Sequence, residues 1–228
     1  MINKVLDSAD EAVADIHDGA ILMIGGFGPA GQPTELLDAL IRRKPKNLTL
    51  ISNNAGNGDY GLAALLKAGC ASKIICSFPR QSDSWVFDEL YRQKKIELEL
   101  VPQGNLVARI QAGGSGIAAV YTPTAYGTQL AEGKETREFD GENYVLETAL
   151  KADFSLIKAA LGDRWGNLTF NKTGRNFGPI MAAASRCTLA QVDRIVNLGE
   201  LDPEAIITPG IFVKRVIPIA PQPVRLSA

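Results

Sequence analysis

Three segments carry residue types that could do chemistry here. They are Gly25-Gly26-Phe27-Gly28-Pro29-Ala30-Gly31, Ser52-Asn53-Asn54-Ala55-Gly56-Asn57-Gly58 and Val101-Pro102-Gln103-Gly104-Asn105. The first follows the apolar run Ala20 to Ile24 and precedes a helix-like stretch from Thr34 to Arg43, so a strand ends in a glycine-rich elbow that leads into a helix. Glycine permits positive φ and lets a ligand approach the main chain. A helix start adds unpaired N–H donors and a partial positive charge. That corner suits a phosphate or a developing oxyanion. The other two segments offer Asn and Gln amides, which donate hydrogen bonds without carrying charge. Neutral donors at strand ends can form an oxyanion hole. Taken singly, Asn-Gly and Pro-Gln-Gly are ordinary turn chemistry. Convergence on one sheet edge makes a ligand site an equal alternative.

Gly26 to Gly31 also matches the dinucleotide fingerprint G-x-G-x-x-G. That motif needs an Asp or Glu about 20 residues further on to hold the ribose. Ile51-Ser52-Asn53-Asn54 stands there instead, with no acid. Pro33 would fall inside the first turns of a dinucleotide-type helix, whereas proline is comfortable only at a helix start. The pattern therefore predicts a longer loop, a helix beginning at about Pro33, and no nicotinamide cofactor.

His17 is the only histidine. A multi-histidine metal site is excluded, and a Ser/His or Cys/His catalytic pair is disfavoured. His17 is expected at the end of the first helix, where it would interact well with the dipole. Three cysteines without a C-x-x-C pair argue against a disulfide framework or a thiolate metal site. A net charge of -1 gives no global case for nucleic acid or an anionic membrane. No apolar run approaches the ~20 residues of a membrane span. The first residues lack the apolar core of a signal peptide, so a cytoplasmic location is expected.

The elements that must position these segments follow from hydrophobic patterning. Ser8 and Glu11 read as a capping box for a first helix that ends at Asp18-Gly19. Strands are expected at 20–25, 48–53, 73–77, 97–101 and 117–121, with helices at 33–43, 60–68, 84–93 and 104–112 between them. This is the alternation of a parallel sheet flanked by helices. Glu97-Leu98-Glu99-Leu100 alternates, which places it near an edge. Asp140-Gly141 signals a hairpin. Further strands are expected at 154–158, 167–170, 188–192 and 211–217, and 159–180 reads as a long functional or interface loop. One domain is expected over 1–217. The proline-containing tail from 218 to 228 should not continue a sheet.

Together the segments resemble the A subunit of family I CoA-transferases of the 3-oxoacid type. The resemblance is carried by Gly25-Gly26-Phe27-Gly28, Leu50 to Gly56, Val101-Pro102-Gln103-Gly104, Arg109 to Gly114, Tyr121-Thr122-Pro123-Thr124, Ala131-Glu132-Gly133-Lys134 and Arg175-Asn176-Phe177. Ser77-Phe78-Pro79-Arg80-Gln81 and Gly162 to Leu168 lean toward the branch that acts on 3-oxoadipate.

The resemblance implies an open, mostly parallel α/β sheet and CoA transfer from succinyl-CoA to 3-oxoadipate through a glutamyl-CoA intermediate. The nucleophilic glutamate would lie on a partner B subunit, in a heterodimer or an α2β2 assembly. Glu132 and Glu147 lack the neighbours of that motif, so this chain alone should be inactive. No cofactor is held permanently; the CoA thioester is a substrate. By position, Gln103 would donate to the oxyanion, Asn53 and Asn54 would line the acyl pocket, and Gly25, Gly26, Phe27, Gly28, Pro29, Ala30 and Gly31 would bind CoA. Arg80 follows the third strand, and a guanidinium can clasp a distal carboxylate with two bonds. The plainer alternative for Arg80 is a solvated loop arginine. Arg164, Lys172 and Arg175 could serve CoA phosphates or the subunit interface, and Trp85 and Trp165 are read as packing or interface residues. Two other functions stay open: an acetoacetate transferase, and a phosphosugar- or nucleotide-binding module of similar fold.

Overall fold

The computed structural model describes residues 2–219. Its main sheet is built from β1 (Ile21–Ile24), β2 (Leu48–Ile51), β3 (Ala71–Cys76), β4 (Glu97–Leu100), β8 (Ala152–Asp163), β10 (Ser185–Val196) and β11 (Arg215–Pro218). The order is β11-β10-β8-β1-β2-β3-β4, with every neighbouring pair parallel. The short β9 (Leu168–Thr169) folds back antiparallel on the end of β8. Strand order reverses between β1 and β8, so a crevice opens there beyond the carboxyl ends.

Helices cover both faces. On one side lie α1 (Ala9–Ala12), α2 (Thr34–Arg43), α3 (Gly61–Lys67) and α4 (Trp85–Arg92), whose Leu36, Leu40, Leu62 and Phe87 pack with Leu22, Ile24, Leu50 and Ile74 of the strands. On the other lie α5 (Gln103–Gly114) and α6 (Gly178–Ala183), whose Leu106, Ile110 and Met181 pack with Met23, Ile51, Ile75 and Ile157. Successive residues of β1 thus serve opposite cores, as the period of two requires. The continuous apolar run needs helices on both faces.

After α5 the chain builds a second, antiparallel sheet from β5 (Ala119–Thr122), β6 (Thr136–Phe139) and β7 (Glu142–Thr148), in the order β5-β7-β6. Asp140 and Gly141, at φ 52° and 82°, make the tight turn between β6 and β7.

The structure corrects several expectations. The strand expected at 117–121 leaves the parallel sheet and pairs with β7. The stretch 159–180 is mostly ordered structure: β8 runs to Asp163, then come β9, a 3-10 turn at Lys172–Arg175 and the start of α6. Residues 211–212 belong to a 3-10 turn rather than to β11. The Ser8 cap is present, accepting from Glu11 N at 3.1 Å, but α1 closes after one turn. His17 therefore lies beyond the helix, its Nδ1 2.9 Å from the Asp18 carbonyl and its ring edge-on to Phe154. Pro218 does continue the sheet, opposite Val192, and Ile219 donates to the Val192 carbonyl. A proline at the last position of an outer strand leaves no ladder bond unmade. The remaining tail, 220–228, lies outside the described residues. β4 is the edge strand, where the alternation of Glu97 to Leu100 places it.

Candidate active-site edge

The glycine elbow leaves β1 at the switch point itself. Gly25 N donates to Leu156 O on β8 at 2.9 Å, so the chain turns only after the last sheet bond. Gly26 stands at φ 132°, Gly28 at 58° and Gly31 at 74°, and Phe27 and Ala30 bond each other at the base of the turn. Asn176 clamps the elbow from the segment before α6. Its Oδ1 accepts from Gly26 N at 3.1 Å, and its Nδ2 donates to Ala30 O at 3.0 Å. Gly31 packs so closely on that segment that a Cβ would sit 2.5 Å from the Gly174 carbonyl oxygen. Pro33 is the N-cap of α2, and Glu35 N in the first turn donates to the buried Gln191 of β10 at 3.1 Å.

The β2 and β4 segments meet beside it. Asn53 is 2% exposed, and its Oδ1 accepts from Gln103 Nε2 at 2.8 Å and from Ser77 Oγ at 2.8 Å. The Asn53 carbonyl accepts from Ser77 N and Phe78 N, which ties the end of β2 to the end of β3. Gln103 is the first residue of α5 and is exposed. Its amide carries two N–H donors; Asn53 holds one, which fixes the group and leaves the other for a ligand. Asn54 is equally buried, with its Oδ1 accepting from Gly56 N at 2.9 Å.

A small cavity of about 10 Å³ lies between the elbow and these loops, lined by Gly28, Gln32, Asn54, Asn57, Tyr60 and Gln81 among others. The oxygens Gln32 Oε1 and Asn57 Oδ1 are buried without a hydrogen-bond partner among the described residues. An unmatched buried acceptor is costly, and a space of this size has room for about one water to meet it. Gly61 makes room for Gln32: a Cβ at 61 would fall 1.8 Å from Gln32 Oε1. A larger cavity of about 370 Å³ opens at the opposite end of the sheet, lined by Ile21, Lys151, Asp153 and Arg186 among others. It contains none of the amide or elbow residues, and the amino ends of parallel strands are not where such sheets bind ligands.

The structure therefore brings together Gly25 to Gly31, Asn53, Asn54 and Gln103. Arg80 sits at the same edge but is engaged: its Nε is 2.6 Å from Asp88 Oδ1, and its guanidinium lies over the Tyr91 ring. Lys172 and Arg175 belong to the 3-10 turn behind the elbow, and Arg164 donates to the Ile2 carbonyl. Trp85 and Trp165 are about half exposed, with Lys67 over the Trp85 ring. Cys76 ends β3 next to Ser77, but burial pushes its thiol up to about 12, so it supplies no thiolate near neutral pH. Glu132 is exposed, and Glu147 is 2% exposed inside a set of donors. Sequence reasoning gave no role to Asn176, Gln32 or Ser77, and it noted Asn57 only as part of the Ser52 to Gly58 segment. Asn176 stood in a family-like segment, and Gln32 adjoined the glycines.

Comparison with known proteins identifies the family. The sequence model described as coenzyme A transferase matches residues 6–218. The A subunit of the 3-oxoadipate CoA-transferase of Acinetobacter baylyi is 65% identical over 223 residues, 98% of each chain. The protein of the same name from Pseudomonas putida is 66% identical over 220 residues, 96% of this chain and 95% of its own. Among solved structures, an acyl-CoA transferase of Escherichia coli O157:H7, in a thioester complex with CoA, superposes with a TM-score of 0.84 at 25% identity. The match covers 96% of this chain and 47% of that one, so this chain spans about half of that enzyme. It belongs to the coenzyme A transferase family.

Proposed function

We propose that this chain is the A half of a two-subunit enzyme that moves CoA from succinyl-CoA to 3-oxoadipate, giving succinate and 3-oxoadipyl-CoA. The observation that carries the acceptor is the near-full-length identity, at 65% and 66%, to two subunits named for 3-oxoadipate. The geometry supports the division of labour. The edge offers uncharged donors and a glycine elbow, and neither Glu132 nor Glu147 is placed there as a nucleophile.

The partner contributes a glutamate carboxylate. Its oxygen attacks the succinyl-CoA carbonyl, the C–S bond breaks, and a succinyl-glutamyl anhydride and CoA thiolate result. The thiolate attacks the glutamyl carbonyl, releasing succinate and leaving a glutamyl-CoA thioester. A 3-oxoadipate carboxylate repeats the first exchange, and the freed thiolate takes its acyl group. Each tetrahedral adduct carries an oxyanion, and Gln103 Nε2 donates to it. Asn53 and Asn54 shape the acyl pocket. The elbow from Gly25 to Gly31 receives CoA. Free thiols at Cys70 and Cys76 suit a reducing cytoplasm.

The test is a transfer assay with succinyl-CoA and 3-oxoadipate, run with this chain alone and with its B subunit. Activity in the mixture only is expected. Activity from this chain alone would overturn the reading, and preference for acetoacetate would move the acceptor.

A further inference from the structure

Gln103 stands on a helix start that its own sequence does little to hold. Pro102 at the N-cap makes no side-chain cap bond, and no acidic residue lies in the first turn of α5. An uncapped first turn frays readily. A donor on such a turn needs support from elsewhere, because an oxyanion hole works only when its donors are already in place.

That support converges on Glu147 of β7. Its carboxylate is 2% exposed and meets three donors from other segments. Asn105 Nδ2 donates to Oε1 at 3.0 Å, Lys134 Nζ donates to the same oxygen at 2.6 Å, and Arg109 Nε lies 3.8 Å from Oε2. Asn105 is fully buried on the first turn of α5, two residues after Gln103, and Arg109 is one turn further along. Asn105 also donates to Thr124 O at 3.2 Å and accepts from Thr122 Oγ1 at 2.9 Å. Arg109 donates to Thr148 O at 2.8 Å and to Glu99 Oε1 at 2.9 Å. One carboxylate thus joins α5, the connection from β5 to β6, and the small sheet.

We propose that Glu147, balanced by Lys134, is a positioning residue that fixes the first turn of α5 and so aims Gln103. The inference rests on the role given to Gln103 above. A buried carboxylate is tolerated only when paired and hydrogen-bonded. Lys134 is the removable part of that balance, since a third of its side chain is exposed. Lys134→Met would leave Glu147 under-neutralised and loosen Asn105 with it. Lys134→Arg keeps the charge.

The test is a double-mutant cycle in the assembled enzyme, with native-state hydrogen exchange on the same variants. A misplacement of about 1 Å can cost on the order of 10²-fold in rate. Glu147→Gln should therefore lower kcat by about 10- to 100-fold with KM for succinyl-CoA little changed. Lys134→Met should do so more mildly, and Lys134→Arg should recover most of the loss. In a Gln103→Ala background these changes should cost almost nothing more, because coupled residues do not add. Exchange of the Leu106 amide, which closes the first bond of α5 onto Pro102 O, should quicken about tenfold in Lys134→Met. Equal losses with and without Gln103, or unchanged Leu106 exchange, would overturn the inference. A Gln103→Ala enzyme within about threefold of wild type would instead sink the oxyanion role, while the exchange result still decides whether Glu147 holds the turn.

Discussion

Two glycines of one elbow make a controlled comparison. Gly28 and Gly31 both stand at positive φ, 58° and 74°. A Cβ at Gly28 would meet nothing within 4 Å, whereas one at Gly31 would lie 2.5 Å from Gly174 O and 2.8 Å from Asn176 Nδ2. Left-handed backbone costs an alanine roughly 1–2 kcal/mol. Against that, alanine restricts the unfolded chain and returns about 0.4–1 kcal/mol. Gly28→Ala should therefore destabilise by about 1 kcal/mol. Gly31→Ala carries the same strain plus an overpacking cost of roughly 1–3 kcal/mol, because the nearest atom is backbone that cannot swing away. Its total should be about 2–4 kcal/mol. For a chain of this size 1 kcal/mol moves Tm by about 2–4 °C, so Gly28→Ala should lose ~3 °C and Gly31→Ala about 6–12 °C. The functional loss should split the same way. Displacing Asn176 would release its bonds to Gly26 N and Ala30 O, so Gly31→Ala should raise KM for succinyl-CoA well beyond the effect of Gly28→Ala. Thermal melts and steady-state rates of the assembled enzyme read both quantities. Equal Tm losses from the two substitutions would refute the clash, and with it the account of how the elbow is held.

Arg80 is 60% exposed in its side chain and paired with Asp88; a surface pair of this kind contributes little, so Arg80 can leave it cheaply. If it clasps the distal carboxylate of the acceptor, Arg80→Ala should lower kcat/KM for 3-oxoadipate by about tenfold or more and spare acetoacetate, with Tm almost unchanged; equal losses on both acceptors would sink the assignment. Burial pushes the Glu99 carboxyl up, but the hydrogen bonds and charges of Arg109 and Lys73 outweigh it and hold it below its usual 4.5. A lowered carboxylate pKa stabilises the fold fully above the unfolded value and loses that contribution as pH falls through the folded one. Wild type should thus lose Tm below about pH 4.5 more steeply than Glu99→Gln, and parallel acid profiles would contradict the ion chain.

The parallel core was readable because its strands are buried on both faces and separated by helices of ordinary length, a pattern of local periodicity. The departures have local causes that periodicity cannot see. Ala119 to Thr122 has the composition of a strand wherever it pairs, and only β7 decides its partner. β8 continues through Gly162, where a Cβ would press on Val192 and Leu168; that glycine read as loop because its reason is tertiary packing. At the edge, the segments holding Asn53 and Gln103 were legible from amide type and strand-end position, the family resemblance singled out the two residues, and they do bond. Asn176 and Glu147 were not, since each acts on a segment distant in sequence and neither position has a distinctive local pattern. Long-range polar contacts of this kind are specified by the fold, which the one-dimensional pattern only indirectly encodes.

The uncharged amides of Asn53, Asn54 and Gln103 are consistent with a nucleophile delivered by a partner. A carboxylate attacks only when ionised, and a neighbouring acid would raise its pKa and protonate it. Three acids of this chain are committed to other partners: Asp88 to Arg80, Glu99 to Arg109 and Lys73, Glu147 to Lys134 and Asn105. A free cation would have the opposite fault, pairing with the ground-state carboxylate and making it a poorer nucleophile. Amides avoid both. They interact weakly with a neutral carbonyl and strongly with the oxyanion it becomes, which reserves the stabilisation for the transition state. If Gln103 has the role proposed for it, its bond to Asn53 orients the donor before substrate arrives, and little reorganisation is left for the reacting complex.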